Sequence, residues 1–418
     1  MVEVLDARGG LSVALRALDP ADAPSVAAVS RCFRAALYEF WGAPGTRRRM
    51  EWLRSLGDAA PSWLAAWDDE TTRTLARNGL RSALAWALEH SLPLTTACGA
   101  AAARGCHLET LQWLAAHGCP LDSATSKWAA RRGSVRILAW AESAGISLCG
   151  ISQTAAAHGQ FGVLEWAHKE DVLNGPAVYI AGAQNGRLDV VHWAWRKGCK
   201  LTRRTFTAYA AQGGSLAVLR WGVYTGCALT TEALEAAASA GHCDVVKYLC
   251  EKHCPRSAAA CAEAASSGSH AALWLLRWYG APWDESTMHG AARRGDCSLL
   301  AELVQRGCPG SHLSPVVAAS AGHFDAMWFL LAHGFPPTPL LAATVAQNGN
   351  LQVLTELRVI GCPWDENCTY QAAATGSLRV LKWAVMQGCP WYTTACLRAA
   401  RTGGHVATEA WIQEVTNA

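Results

Sequence analysis

Apolar and polar residues along this chain follow a helical pattern that returns about every 27 residues. A short alanine-rich stretch such as TYQAAATG ends on glycine, and a second stretch, LRVLKWAVMQG, follows and also ends on glycine. In the second stretch Leu378, Val380, Leu381 and Ala384 fall on one face of a helix. Alanine is the best helix former and glycine commonly terminates helices. The pattern therefore predicts two short helices joined by a tight glycine turn.

A glycine that follows an Ala-Ala pair, or a pair in which only the second residue is Ala, marks each repeat of this pattern. Successive marker glycines are 26 to 28 residues apart, and the last seven intervals are all 27. The repeat covers residues 69–418 and predicts an all-α solenoid of about 12–13 short repeats, because one helix pair cannot bury its apolar face alone. The marker glycines are Gly79, Gly105, Gly133, Gly159, Gly186, Gly214, Gly241, Gly268, Gly295, Gly322, Gly349, Gly376 and Gly403.

The loop between repeats often reads Gly-Cys-Pro, and Gly-Cys-Pro-Trp occurs at 361–364 and 388–391. Proline cannot continue a helix, so each repeat ends there. An Asp or Thr often follows and is expected to cap the next helix. The candidate caps are Asp122, Asp284, Asp365, Thr202 and Thr231.

The frame AA-x-x-G-x-L-x-V-L-x-W-x-x-x-x-G-C-P resembles the ankyrin repeat from its Ala-Ala pair onward, most closely in GHCDVVKYLCEKHC at 241–254. Ankyrin repeats run to about 33 residues, and the missing residues fall where ankyrins form a β-hairpin finger. The resemblance therefore implies an almost wholly helical solenoid without fingers. Short repeats with GCPW loops are similar to those in ankyrin proteins of large DNA viruses that infect amoebae.

Tryptophan recurs seven residues after the marker glycine, with Tyr248 and Phe329 as substitutes. Such a row is either a ligand-stacking platform or part of the core between repeats, and its helical spacing favours the core. The tryptophans of the row are Trp86, Trp140, Trp166, Trp193, Trp221 and Trp383, with Trp113 displaced by one.

Cysteines follow the glycine that ends the second helix, in the small-residue position of ankyrins. Helices of adjacent repeats pack about 8–10 Å apart, too far for neighbouring thiols to share a zinc ion or form a disulfide. Buried thiols are therefore expected. A cluster at 243–261 raises zinc as an alternative, but it lacks a CxxC pair and favours a core interpretation. The cysteines are Cys119, Cys199, Cys227, Cys308, Cys362 and Cys389; the cluster is Cys243, Cys250, His253, Cys254 and Cys261.

The chain has 418 residues and a net charge of only +3, which does not imply a partner bound mainly through phosphates, so we expect no nucleic acid as partner. No stretch of 18 uncharged apolar residues and no export signal is present, so we expect no membrane span and reduced thiols in the cytosol or nucleus. No catalytic motif or cofactor fingerprint appears, and the histidines are scattered, so we expect no enzyme, no cofactor and no metal.

The residues just before the marker glycines are polar in most repeats yet chemically varied. A structural position would repeat, so this variation predicts contact with a protein partner at the tips of the first helices. In ankyrins, which the repeats resemble, that tip faces the binding groove. The candidate partner-binding residues are Arg131, Arg132, Gln184, Asn185, Arg293, Arg294, Gln347, Asn348 and Arg401.

Residues 1–48 do not fit the repeat and predict three short helices; residues 49–68 form a connecting helix or linker. The segment resembles an F-box through LDPAD at 18–22, VSRCF at 29–33 and Trp41, although DARGG at 6–10 departs from the family pattern. The other interpretation is a helical cap on the first repeat. The residues that the resemblance assigns to adaptor binding are Leu15, Leu18, Asp19, Pro20, Val26, Val29, Phe33 and Trp41.

An F-box joined to a recognition solenoid resembles a substrate receptor of a cullin-type ubiquitin ligase. The resemblance implies a Skp1-type adaptor and a target protein as partners of a monomer, with host proteins as targets and the host cytoplasm as compartment if the viral likeness holds. The alternative is an interaction scaffold without a ubiquitin link, whose N-terminal segment only caps the solenoid.

Overall fold

The computed structural model describes residues 69–89 and 94–417, all in helices, turns and short loops without a strand. The F-box-like segment and the residues that follow it up to 68 lie outside this part. Within it the predicted all-α repeat solenoid is confirmed: helices come in pairs, each with a glycine turn inside the pair and a short loop after it.

The helices are short and of similar length throughout the described residues. The first helices of the pairs are α1 (Asp69–Arg77), α3 (Thr96–Arg104), α5 (Ser123–Arg132), α7 (Ile151–His158), α9 (Gly175–Gln184), α11 (Arg203–Gln212), α13 (Thr231–Ala240), α15 (Ala258–Ser267), α17 (Glu285–Arg294), α19 (Ser314–Ser320), α21 (Pro339–Gln347), α23 (Glu366–Ala374) and α25 (Thr393–Thr402). The second helices are α2 (Arg81–Glu89), α4 (Leu108–Ala116), α6 (Val135–Ser143), α8 (Phe161–Lys169), α10 (Leu188–Arg196), α12 (Leu216–Tyr224), α14 (Cys243–Glu251), α16 (His270–Trp278), α18 (Cys297–Gln305), α20 (Phe324–Ala332), α22 (Leu351–Val359), α24 (Leu378–Met386) and α26 (Val406–Asn417).

Helix starts follow the predicted caps in part. Asp122, Asp284 and Asp365 each accept a hydrogen bond from the backbone amide two residues ahead, at 2.9, 3.0 and 3.1 Å, as expected of N-caps. Thr202 stands at the cap position of α11 without a side-chain bond. Thr231 is the first residue of α13 rather than its cap, so that prediction is wrong; Thr230 takes the cap position.

The chain divides into two compact units: a first unit of residues 1–151 and 165–172, and a second of 152–164 and 173–418. In the described part of the first unit, α3 packs between α1 and α5. In the second unit, α11, α13, α15 and α17 pack side by side, and second helices such as α14 and α16 do the same. Each unit is therefore a stack of helix pairs.

Small residues let the first helices approach closely in the second unit. Ala237 and Ala238 in α13 and Ala264 and Ala265 in α15 are fully buried. A β-carbon at Gly290 of α17 would lie only 2.8 Å from the carbonyl oxygen of Ala262 in α15. The alanine-rich first helices thus form a layer in which backbones nearly touch.

The second helices supply the larger apolar side chains of the core. Leu249, Leu276 and Leu303 occupy the same position in α14, α16 and α18 and are fully buried. Burying one leucine side chain contributes roughly 2 kcal/mol. The core therefore runs between the two helix layers, while the glycine turns and the tips of the first helices remain at the surface.

Candidate interaction surface

Within a unit, the turn inside a helix pair contacts the turn of the neighbouring pair. In the second unit, His242 Nε2 lies 3.0 Å from the carbonyl oxygen of Gln212, at the end of the preceding first helix. His405 Nε2 makes the same 3.0 Å contact with the carbonyl oxygen of Ala374. Carbonyl groups at the end of a helix have no partner within it, so these histidines satisfy them from the next repeat.

Two arginine pairs among the predicted tip residues are exposed. Arg131 and Arg132 end α5, and the Arg131 guanidinium lies 4.8 Å from the ring centre of Trp128. Arg293 and Arg294 end α17, and the Arg294 side chain lies across Gly268 of the preceding turn. These four cations stand at the surface where the sequence places a partner.

The neutral tip residues are partly engaged within the protein. Gln184 is half-buried and donates to the side-chain oxygen of Gln212 at 3.0 Å. Asn185 is exposed but donates to the carbonyl oxygen of Ala181 in its own helix at 2.9 Å. Both side chains therefore already have one partner inside the stack.

The tips near the C-terminus differ from one another. Asn348 donates to the carbonyl oxygen of Ala319 in the preceding first helix at 2.6 Å, beside the exposed Gln347. Arg401 forms an ion pair with Glu409 at 2.7 Å. Asn348 thus joins adjacent repeats, in the same way as the turn histidines, while remaining at the surface.

A cavity of about 460 Å³ opens at the Asn348 turn. The cavity is shallow and polar. It is lined by the end of α21, the first turn of α22 and the side chain of Arg379 from the following repeat. Its lining residues are Asn348, Gly349, Asn350, Leu351, Gln352 and Arg379. Asn350 Oδ1 is occupied as the cap of α22, 3.2 Å from the amide of Val353.

One carboxylate of the second unit is held by groups from two repeats. Asp296 Oδ1 caps α18 by accepting from the Leu299 amide at 3.0 Å, and Oδ2 lies 2.6 Å from Nε2 of His270 in the preceding repeat. Burial raises the pKa of Asp296, but hydrogen bonds from Ser298, Leu299 and His270 outweigh this and hold the pKa below its usual value. The turn surface therefore carries a fixed negative charge at Asp296.

The repeated cysteines are buried except for Cys199, which is half-buried, and most of them have hydrogen-bond partners. The Cys119 thiol donates to the carbonyl oxygen of Thr95 at 3.3 Å, and Cys362 makes the equivalent 3.5 Å bond to Thr338. The residue that accepts stands at the start of the first helix of the same pair, 24 positions earlier. The same thiol-to-carbonyl hydrogen bond is made by Cys254, Cys308 and Cys389. Each bond ties the end of a repeat to its beginning.

Burial keeps the thiols of Cys119, Cys308 and Cys362 protonated. It raises the pKa of Cys119 and of Cys362 to about 11 and that of Cys308 to about 12. The thiolate is the form that binds metals and attacks electrophiles. These cysteines therefore act as small core groups with a weak donor.

The cysteine cluster at 243–261 is spread over α14, the loop after it and α15. Cys250, Cys254 and Cys261 are buried, and Cys254 donates its thiol proton to the Thr230 carbonyl at 3.2 Å. Across residues 69–89 and 94–417, no three His, Cys, Asp or Glu side chains are arranged to hold a metal ion.

The tryptophans of the row from Trp113 to Trp383 are half-buried rather than fully buried. In the second unit Trp221 lies among Tyr179, Phe206 and Trp195, with ring centres 6.5, 5.5 and 5.6 Å away. Such clusters of rings stabilise the packing between repeats beyond the apolar area that they bury. The row is therefore a packing element with one edge in solvent.

Two tryptophans of the loops are covered by arginines, an arrangement that was not among the expectations from the sequence. The Arg277 and Arg358 guanidinium groups each lie 4.0 Å from the ring centres of Trp283 and Trp364, and Arg358 also donates to the Cys362 carbonyl. The arginine stands six residues before the tryptophan in both loops. That spacing was a signal in the sequence for these two loops. Trp391 lacks it, since Val385 stands six residues before, and its ring centre lies 6.1 Å from that of Trp411 instead.

Residues that the F-box resemblance assigns to adaptor binding lie outside the described part of the chain. They are Leu15, Leu18, Asp19, Pro20, Val26, Val29, Phe33 and Trp41. In the described part no helix is both long and apolar enough to cross a membrane.

Among known proteins, similarity is found only at the level of structure. No protein-family model matches the chain, and no curated protein matches its sequence. A crystal structure of the pentatricopeptide repeat protein PPR10 in complex with an 18-nucleotide psaJ RNA element matches 98% of this chain and 73% of its own, at 14% identity and a TM-score of 0.34. The structure of PPR10 from maize matches 82% of this chain and 62% of its own, at 14% identity and a TM-score of 0.31.

These matches correct one expectation. From net charge alone we expected no nucleic-acid partner, but the helical-repeat structures that match this chain include complexes with RNA. The expectation that excluded nucleic acid is therefore wrong. Net charge is a property of the whole chain and says little about a local surface. What is shown for this chain is an all-α stack of paired helices.

Proposed function

We propose that this chain is a non-catalytic adaptor that binds a target protein through the tips of its first helices. The observation that supports this most directly is the contrast between core and tips. Core positions repeat almost unchanged from pair to pair, whereas the exposed tips alternate among Arg132, Asn185, Arg293 and Gln347. Solenoids bind partners over such extended surfaces of varied side chains.

The proposed role in a ubiquitin ligase rests on the F-box resemblance at 18–41. In that role the N-terminal segment binds a Skp1-type adaptor of a cullin ligase, and the repeats hold the target beside it. Tethering raises the effective concentration of the target at the ligase. By the viral likeness of the repeats, the targets are host proteins and the compartment is the host cytoplasm or nucleus.

A binding experiment with the full chain tests this link. We expect immobilised full-length protein to capture purified Skp1-type adaptor, and the variant Leu18→Ala/Pro20→Ala/Val29→Ala to lose at least about tenfold in affinity, because these side chains carry the motif. The matched control Arg293→Glu/Arg294→Glu should retain adaptor capture while weakening capture of a target. The helical circular dichroism signal should be the same for both variants.

Two outcomes separate the alternatives. No capture of the adaptor by the unaltered chain, while target proteins still bind, leaves an interaction scaffold without a ubiquitin link. Target binding that survives reversal of Arg131, Arg132, Arg293 and Arg294 contradicts the tip surface itself.

A further inference from the structure

The first unit carries a row of arginines on the tips of three adjacent first helices. Arg77 ends α1, Arg104 ends α3, and Arg131 and Arg132 end α5. All four are exposed. We call these four residues the basic row.

The basic row is continuous because the three tips touch. A β-carbon at Gly105 would collide with the carbonyl oxygen of Arg77, so the ends of α1 and α3 are in direct contact. The Arg104 guanidinium reaches the Trp128 ring of α5 at 4.8 Å, the same distance as Arg131. The tryptophan therefore fixes one arginine from each of two neighbouring helices.

None of the three helices has an acidic residue at this end, and Glu109, which follows the α3 turn, is paired with Arg81 at 2.8 Å. Neither α3 nor α5 contains an acidic residue, and Asp122 caps the opposite end of α5. Asp69 and Glu70 stand at the opposite end of α1, where both pair with Arg73. The potential at the tips is thus positive and is not neutralised by carboxylates of the same helices.

Helix geometry alone does not account for the basic row. Cations near a helix C-terminus are favoured by the helix dipole, and this would apply to every first helix. However, α9, α11, α13 and α15 end on Gln184, Gln212, Ala240 and Ser267. The first helix α17 also ends on two arginines, but its neighbours α15 and α19 end on Ser267 and Ser320. Adjacent first helices that all end on arginine are therefore found at α1, α3 and α5, beyond what helix stability requires.

We propose that the basic row binds an acidic, extended segment of a protein partner. The proposal rests on the adaptor function above and names the chemistry of one of its targets. Three adjacent helices about 8–10 Å apart span roughly 20 Å, which an extended segment of about six residues covers. Guanidinium groups bind carboxylates in bidentate pairs, and Trp128 holds two of them in place before the partner arrives.

A peptide fits this surface better than a nucleic acid does. A nucleic-acid strand is held by a long series of phosphate contacts and by stacking on free aromatic rings. The first helices that follow in the sequence, α7, α9, α11 and α13, end without Arg or Lys. Trp128 is already in contact with Arg104 and Arg131.

The test uses the full chain and a fluorescein-labelled deca-glutamate peptide, read by fluorescence anisotropy. We expect saturable binding, no binding of deca-glutamine, and at least a tenfold loss of affinity for the variant Arg104→Glu/Arg131→Glu/Arg132→Glu. The control Arg196→Glu/Lys200→Glu/Arg204→Glu changes the net charge equally at other exposed positions and should stay within twofold. A second variant, Arg104→Gln/Arg131→Gln/Arg132→Gln, gives the same readout if charge reversal disturbs the fold.

Three results overturn the proposal. The first is equal binding of deca-glutamine, and the second is an equal loss in the control variant. The third is displacement of the peptide by a ten-nucleotide single-stranded RNA at lower concentration than unlabelled deca-glutamate, which makes the row a nucleic-acid surface. If deca-glutamate binding fails while target capture persists, the inference falls and the adaptor function stands. If deca-glutamate binds at the row but no target is captured, only the adaptor function falls.

Discussion

At the scale of single residues, the thiols show how one position serves the whole repeat. Cys362 follows the second helix and donates to the carbonyl of Thr338 at the start of its own pair. Alanine would fill the same space but would leave that carbonyl without this donor. A buried polar group that loses its partner costs about 1–3 kcal/mol. The cysteine therefore joins the end of the repeat to its beginning by a hydrogen bond, which an equally small alanine could not form.

The reactivity of these thiols follows from their burial. Treated with iodoacetamide at pH 8 in the folded state, the exposed Cys106 and Cys149 should be modified quickly. Cys119, Cys308 and Cys362 should stay unmodified, because burial raises the pKa of each and blocks access. Peptide mapping by mass spectrometry measures both groups in one sample. A guanidinium-unfolded sample is the control, and modification of Cys362 in the folded protein at the rate of Cys149 would contradict this assignment.

The burial of most of these cysteines could be predicted from the sequence, because they recur at a position that takes small residues. Sequence reasoning did not find the hydrogen bond that they make. The bond joins residues 24 positions apart, and this offset equals the distance from the loop back to the cap of the same repeat. Only the folded pair brings the two together, so periodicity could locate the cysteine but not its acceptor.

At the scale of helices and turns, the stack depends on close contact between successive glycine turns. Gly214 has φ +71°, and a β-carbon there would lie 2.6 Å from Cε1 of His242 in the next repeat. Gly226 has a similar φ, +81°, but nothing lies within 4 Å of that place. The two glycines therefore share a backbone conformation and differ only in what stands beside them.

This pair predicts different costs for the same substitution. Gly226→Ala should lower the free energy of unfolding by about 1 kcal/mol, the cost of a left-handed conformation for alanine. Gly214→Ala should cost at least about 2 kcal/mol, because the histidine ring must also move and give up its bond to Gln212. Urea denaturation followed by circular dichroism measures both.

A double variant checks the cause of the difference. In Gly214→Ala/His242→Ala the ring is absent, so the cost should be smaller than the sum of the two single variants. Strict additivity would mean that the ring and the turn do not interact. Sequence analysis predicted these turns from Ala-Ala and glycine, yet it could not place the histidine over the preceding turn, because their contact depends on how the repeats stack.

At the scale of the molecule, one repeated unit predicted nearly the entire described fold. Helix pairs and loop positions follow from the 27-residue pattern because each repeat contacts mainly its neighbours. The interaction surface was predictable only in part. Arg131 and Arg132 stood out as a doublet, whereas Arg77 and Arg104 join them only when α1, α3 and α5 lie side by side.

The same repetition gives the whole molecule an expected response to alkaline pH. Burial raises the pKa of Cys254 and Cys362 to about 11 and that of Cys308 to about 12, whereas a thiol in the unfolded chain ionises near 8.5. Between these values the folded state keeps protons that the unfolded state has released, so stability falls as pH rises. The contribution is complete below about pH 8.5 and is lost progressively toward pH 11 to 12.

We therefore expect the urea midpoint to be constant from pH 7 to 8 and to decrease from pH 9 to 10.5. Each thiol contributes at most about 1 kcal/mol at pH 10, since partial solvent screening reduces the effect. Cys308→Ala should lower stability at pH 7.5 but should show a shallower decrease above pH 9, because one group with a raised pKa has been removed. Cys149→Ala, at an exposed site, should leave the slope unchanged. A decrease of the same slope in all three proteins would assign the alkaline response to groups other than the buried thiols.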